Sequence, residues 1–198
     1  MRPIRSMAAV LGLAVLGGCA SSPQPTFYTL TSVRAQERTD ADVPAAIAIG
    51  PVAVPEMVDR PQLVLRVSAT QVRLDEFARW AEPLKRQIPA VLAADLAQFF
   101  PGALVSGYPQ WADPGTAYLV SVDVQKFDSA PGDAAVVSVV WSVRAPKQGA
   151  LVSGRSDVRE PAGAAGYDAL VDAHSRALAA VSRDIAGAIR TARTARQQ

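Results

Sequence analysis

Apolar residues recur along this chain at three spacings, and each spacing predicts a different element. The first is an unbroken run, Met7 to Leu16. The second is alternation: Tyr118, Val120, Val122 and Val124 interleave with Leu119, Ser121, Asp123 and Gln125, and Val137, Val139, Trp141 and Val143 repeat the pattern. Period two sends one set of side chains to one face, so both segments predict half-buried strands. Leu151 to Val158 predicts a third, with turns at Asp128–Asp133 and Ala145–Gly149, and the three together an antiparallel meander. The third spacing is three and four. Trp80, Leu84, Ile88, Val91, Leu92, Leu96 and Phe99 form one stripe; Leu170, His174, Leu178, Val181, Ile185 and Ile189 form another. Each predicts an amphipathic helix, the second starting near Tyr167. Pro83 suits a first helical turn. Pro89 lacks an N–H and predicts a kink or restart, and Pro101-Gly102 ends the first helix.

Ahead of these lie shorter β-prone segments. Phe27 to Leu30 predicts a first strand and Thr31 to Val43 a loop. Ile47, Ile49, Val52 and Val54 predict a strand interrupted by Gly50-Pro51, hence a bulge or an edge position. A proline-bounded loop, Pro55 to Pro61, leads to a strand at Leu63–Val67, and Val72 and Leu74 continue the sheet. Strands, helix, three strands, helix is the order of an α+β fold. The expected architecture is a two-layer sandwich, a mainly antiparallel sheet with two amphipathic helices on one face.

The unbroken run changes the picture of the N-terminus. Ten apolar residues are too few for a hydrocarbon core of about 30 Å, which takes about twenty in a helix. Behind Arg2 and Arg5 they have the length of a signal-peptide h-region. Leu16-Gly17-Gly18-Cys19 follows and looks like a lipobox, in which small residues precede the cysteine that receives diacylglycerol. The expected organisation is a cleaved signal at 1–18, lipidated Cys19 and a tether at 19–26, and one domain at 27–198. Two or three acyl chains anchor stably where one does not. Ala20, by resemblance to the sorting rule of Gram-negative lipoproteins, implies the periplasmic face of the outer membrane.

Processing also resets the charge. The chain carries 20 Lys and Arg against 18 Asp and Glu, and Arg2 and Arg5 leave with the signal, so the mature charge is zero. Nothing in that balance points to nucleic acid. The only Cys is expected to carry lipid, as diacylglycerol plus an N-acyl group, and no other cofactor is implied. The only His, His174, lies on an apolar stripe and reads as a core residue. With one His and a lipidated Cys there is no transition-metal cluster. Gly163 and Gly166 lack the context of a phosphate loop, and no catalytic residue is singled out. Two polar constellations remain. Asp59, Arg60 and Gln62 precede a strand; Arg79, Trp80 and Glu82 precede a helix. Capping and core roles account for them best from the sequence; a contact surface is the second reading, since Arg and Trp are enriched in binding hot spots.

The same residues carry a family resemblance. A lipobox, FYTL, IGPVAVPEMVDRPQLVLR, RWAEPLKRQI and a final SRALAAVSRDIAGAIR together resemble the ABC-type transport auxiliary lipoproteins of the PqiC-like kind, over nearly the whole mature chain. The resemblance implies a non-enzymatic accessory or docking subunit at the outer-membrane end of an MCE-type lipid transport system. Its partners would be the membrane and an MCE-domain protein, with a homo-oligomer left open. An envelope-assembly or lipid-binding lipoprotein unconnected with MCE is the alternative, and a lipoprotein hydrolase the third.

Overall fold

The computed structural model describes residues 23–34, 43–107, 113 and 115–197. Eight strands form one sheet: β1 (Thr26–Tyr28), β2 (Ala46–Ala53), β3 (Gln62–Arg66), β4 (Val72–Trp80), β5 (Leu104–Gly107), β6 (Ala117–Ala130), β7 (Ala134–Arg144) and β8 (Leu151–Pro161). Two helices, α1 (Leu84–Phe99) and α2 (Tyr167–Gln197), complete the fold, with a short 3₁₀ turn at Glu56–Val58. The α+β class expected from the pattern holds, and the sheet is open and mixed. The β6–β7–β8 meander and the β3–β4 hairpin are antiparallel, while β1–β4, β2–β5, β2–β6 and β3–β6 pair in parallel.

β6 organises the sheet. Along one side β7 accompanies it for its full length. The other side is shared: β2 pairs with its first half, from Ala117 to Asp123, and β3 joins near its end, at Ser129 opposite Leu65. The sheet therefore forks into a β2–β5 arm and a β3–β4–β1 arm. β2 shifts register between Ile49 and Val52, as Gly50-Pro51 foretold, yet it is an interior strand between β5 and β6.

The core lies between this sheet and the helices. α1 packs over β2 and β5, α2 over β7 and β8, and the helices touch each other. All six stripe residues of α2 are fully buried, His174 included. Ser156 on β8 accepts a hydrogen bond from Trp141 Nε1 (2.9 Å) and donates one to Asp184 Oδ2 on α2 (2.5 Å). Gly154, opposite Trp141 on β8, is required by this arrangement. A Cβ there would sit inside the van der Waals surface of Trp141 Cζ2 and Cη2.

Three expectations need correction. Trp80 is not the first residue of the α1 stripe but the last of β4, opposite Tyr28, with its N–H donated to Pro61 O at 2.7 Å. It is buried from the strand side, so its four-residue spacing from Leu84 is coincidental. Pro89 causes no restart, because α1 runs through it. Its missing hydrogen bond would have gone to the Lys85 carbonyl in the first turn of the helix, so a single bond near the helix start is lost while the turns after it continue. β6 also continues to Ala130, so only Pro131–Asp133 turns.

Candidate interaction surface

The β1, β3 and β4 ends meet the start of α1 at one corner of the molecule. Two rows of side chains leave that corner in opposite directions. The inward row begins with Trp80, whose ring meets Phe127 edge-on at 6.1 Å and His174 at 6.4 Å. Phe127 stacks on the imidazole at 4.0 Å with the planes 6° apart. His174 Nε2 is 2.8 Å from Ser129 Oγ, and Nδ1 has no partner. Burial among these rings pushes the imidazole pKa down to about 3, against a smaller opposing pull from Asp128. This histidine is neutral and sealed from solvent, which suits packing and not proton transfer.

Further polar ties hold the corner in place. Gln87, buried on α1, accepts from Leu30 N–H (2.7 Å) and donates to Glu82 O (2.6 Å), locking the exit of β1 to the helix start. Tyr167 at the start of α2 donates its hydroxyl to Asp75 on β4 at 2.6 Å and meets Tyr28 edge-on at 5.9 Å. Burial first, and then the bond to Asp75, raise the Tyr167 hydroxyl to about 12. The hydrogen bond from Tyr167 holds the Asp75 carboxyl below its ordinary value.

The outward row is Phe27, Arg79 and Gln62, adjacent across β1, β4 and β3. β4 carries extra residues here: Gln62 faces Arg79 while Leu63 faces Asp75, so Glu76, Phe77 and Ala78 bulge out. Asp75 Oδ1 accepts both the Phe77 and Ala78 N–H groups at 3.0 Å and fixes the bulge. Glu76 then bridges the row. Its Oε2 accepts from Gln62 Nε2 (3.1 Å) and lies 3.6 Å from an Arg79 guanidinium nitrogen. Arg79 Nε also donates to Glu76 O at 2.8 Å.

Of the residues singled out from the sequence, Gln62 and Arg79 are thus brought together. Asp59 pairs with Lys85 at 2.6 Å, holding the β2–β3 loop against α1. Arg60 is exposed and makes no hydrogen bond or ion pair among the described residues. Glu82 is exposed beside the helix start and contributes its backbone carbonyl. Cys19 lies outside the described residues. Sequence reasoning missed Phe27, Glu76, Phe77 and Lys85. The available signal was Phe77, an aromatic set among Asp75, Glu76 and Arg79 where a buried strand would show alternation. Among the described residues no three His, Cys, Asp or Glu are grouped to hold a metal ion, and no helix is long and apolar enough to cross a membrane.

Residues 28–186 match the family described as the ABC-type transport auxiliary lipoprotein component. The chain belongs to that family. The fold is also similar to two solved structures. One is an uncharacterized protein, at 24% identity and TM-score 0.68, covering 84% of this chain and 99% of that one. The other is XCC0632 from Xanthomonas campestris, of the DUF330 family, at 18% identity and TM-score 0.66, covering 87% and 97%. No curated protein matches the sequence.

Proposed function

We propose that this auxiliary lipoprotein is the docking subunit of an MCE-type lipid transport system, held by acylated Cys19 on the periplasmic face of the outer membrane. Family membership supports a role beside an ABC transporter. The lipobox and Ala20 support the anchor and its membrane, and the resemblance supplies the MCE partner. The observation that carries the docking role is Arg60. It is an exposed arginine without an ion pair among the described residues, on a loop fixed by the Asp59–Lys85 pair and flanked by Gln62, Arg79 and Glu82. A guanidinium left unpaired is available to a partner carboxylate. A loop already tied to α1 through Asp59 spares the backbone part of the ordering cost, although the arginine side chain still loses its own rotamer freedom.

The test is a pull-down of the MCE-domain partner alongside thermal unfolding. Arg60→Ala is expected to leave unfolding unchanged and to weaken association by more than about 1 kcal/mol, several-fold in affinity. Trp80→Ala is the structural control and should cost roughly 3–5 kcal/mol of stability. Wild-type protein that retains no MCE partner would move the reading to envelope assembly. Retention unaffected by Arg60→Ala would remove this loop from the docking surface.

A further inference from the structure

Among the described residues eight large apolar side chains remain exposed, and half of them share one arm of the sheet. Phe27 on β1 is 60% exposed, Leu74 and Phe77 on β4 are 41% and 48%, and Val67 in the β3–β4 turn is 56%. Met57 lies in the β2–β3 loop, and Leu104, Val140 and Leu151 are spread over three other strands. Isolated exposed apolar residues are ordinary on a protein surface; a concentration of them marks a contact.

The direction of β1 identifies what this arm meets. β1 is the outermost strand of the arm and runs parallel to β4, with Thr26 level with Ala78 and Tyr28 level with Trp80. The N-terminal end of β1 at Thr26 therefore faces back along β4, toward Phe77, Leu74 and the β3–β4 turn. Only a few residues separate Cys19 from Thr26, a fully extended reach of about 25 Å. With an acyl anchor on Cys19, that length is short enough for this arm's exposed apolar residues to meet the membrane surface. Of the arm's charges, Arg66 pairs with Asp128 at 2.8 Å and Arg79 with Glu76, while Arg73 is an exposed cation beside Leu74 that faces Asp75. An arginine among apolar residues is compatible with an interface that carries anionic headgroups.

We infer that the β3–β4 turn and the adjoining stretch of the β4 edge lie against the lipid bilayer, with Val67, Leu74 and Phe77 seated at its interface. The inference rests on the acyl anchor of the proposed function. It adds an orientation, because β4 then runs from the membrane at Val72 to the docking corner at Trp80. Apolar and aromatic side chains held at an interface by a covalent lipid need little affinity of their own, since the anchor fixes their local concentration.

The experiment uses the full acylated chain in vesicles of phosphatidylethanolamine and phosphatidylglycerol. Phe77→Cys, Leu74→Cys and, as the distant reference, Ser153→Cys on β8 each carry an environment-sensitive fluorophore. Cys19 is blocked by lipid, so each variant has one reactive thiol. Nitroxide-headgroup lipid is then titrated in. The expected result is flotation of all three with the vesicles, and quenching at positions 77 and 74 at least several-fold stronger than at 153. Flotation with equal quenching at all three overturns the orientation and leaves the anchor standing. Fluorophores at 77 and 74 shielded from water yet untouched by the nitroxide would mean that protein, not lipid, covers the edge. Failure to float overturns the anchor and this inference together.

Discussion

The α2 half and the β1–β4 arm treat polarity in opposite ways. Under α2, polar groups are hidden: His174, Ser129, Ser156 and Ser182 are buried among apolar side chains. Each of these four has a hydrogen-bond partner, on β6, β7 or a helix. On the β1–β4 arm apolar groups are displayed: Phe27, Leu74 and Phe77 are exposed, although Tyr28 next to Phe27 packs against the core and Ala78 next to Phe77 lies in it. A hidden polar group is stable only with a partner, so the first region is specified by its own packing. A displayed phenyl ring gains little from folding, so the second region is specified by something outside the domain. Fold and function are therefore separable in this molecule, and substitutions should divide along the same line.

The largest effect should come from the centre of α2. Leu178→Ala removes a fully buried side chain and should cost about 2–5 kcal/mol, read from the denaturant midpoint at constant slope. A loss no larger than that of a surface substitution would mean that α2 does not carry the core. Next comes overpacking. Gly154→Ala should cost about 1–3 kcal/mol, because Trp141 is held by Ser156 and has no room to retreat from the new methyl. A Gly154→Ala, Trp141→Phe pair that recovers part of the loss would locate the clash.

Between pH 7 and pH 5, above the carboxylate range, acid should act on the hidden region through His174. The unfolded chain binds a proton at an ordinary histidine near pH 6.5, while folded His174 resists protonation down to about pH 3. The unfolded state therefore holds more protons across that window. Stability attributable to His174 is flat above pH 6.5 and falls as pH drops below it, at up to about 1.4 kcal/mol per pH unit. Chemical denaturation from pH 7 to pH 5 should show this slope, and His174→Gln should flatten it. The smallest effect belongs to the displayed region. Phe27→Ser should shift stability by no more than about 0.5 kcal/mol in thermal unfolding. A larger loss would place β1 in the core and erase the contrast.

The hidden region was also the legible one. A stripe at three- and four-residue spacing is a property of one helix, so Leu170 to Ile189 declared its buried face without knowledge of any neighbour. The meander was legible for the same reason, since alternation and turns are local. The displayed arm was not. Its strand β1 has three residues and pairs in parallel with β4, a partnership that no local pattern announces. β5, with four residues, went unnoticed. Trp80 fell into the helical stripe because periodicity cannot distinguish a strand's last residue from a helix's first when both are buried. Of the surface residues, Gln62 and Arg79 were recognised as polar company for a partner. Their link through Glu76 depends on a bulge that only the paired strand reveals.

The forked sheet has a further consequence, for the order in which the chain acquires structure. A strand made early can be satisfied early only if its partner follows soon. β6, β7, β8 and α2 follow one another directly, so the second half can assemble from neighbours. β2 has no such luxury: Ala46 must wait for Leu104 and Ala117, and Leu65 for Ser129. Pairings between distant segments form slowly, because loop closure precedes any reward. The first half of the chain emerges with Ile47, Ile49, Leu63 and Leu65 bare, all destined for the core. β6 is thus the template on which the earlier strands are captured. Slowing its appearance should lengthen the period in which the nascent chain is open to chaperones, proteases and self-association.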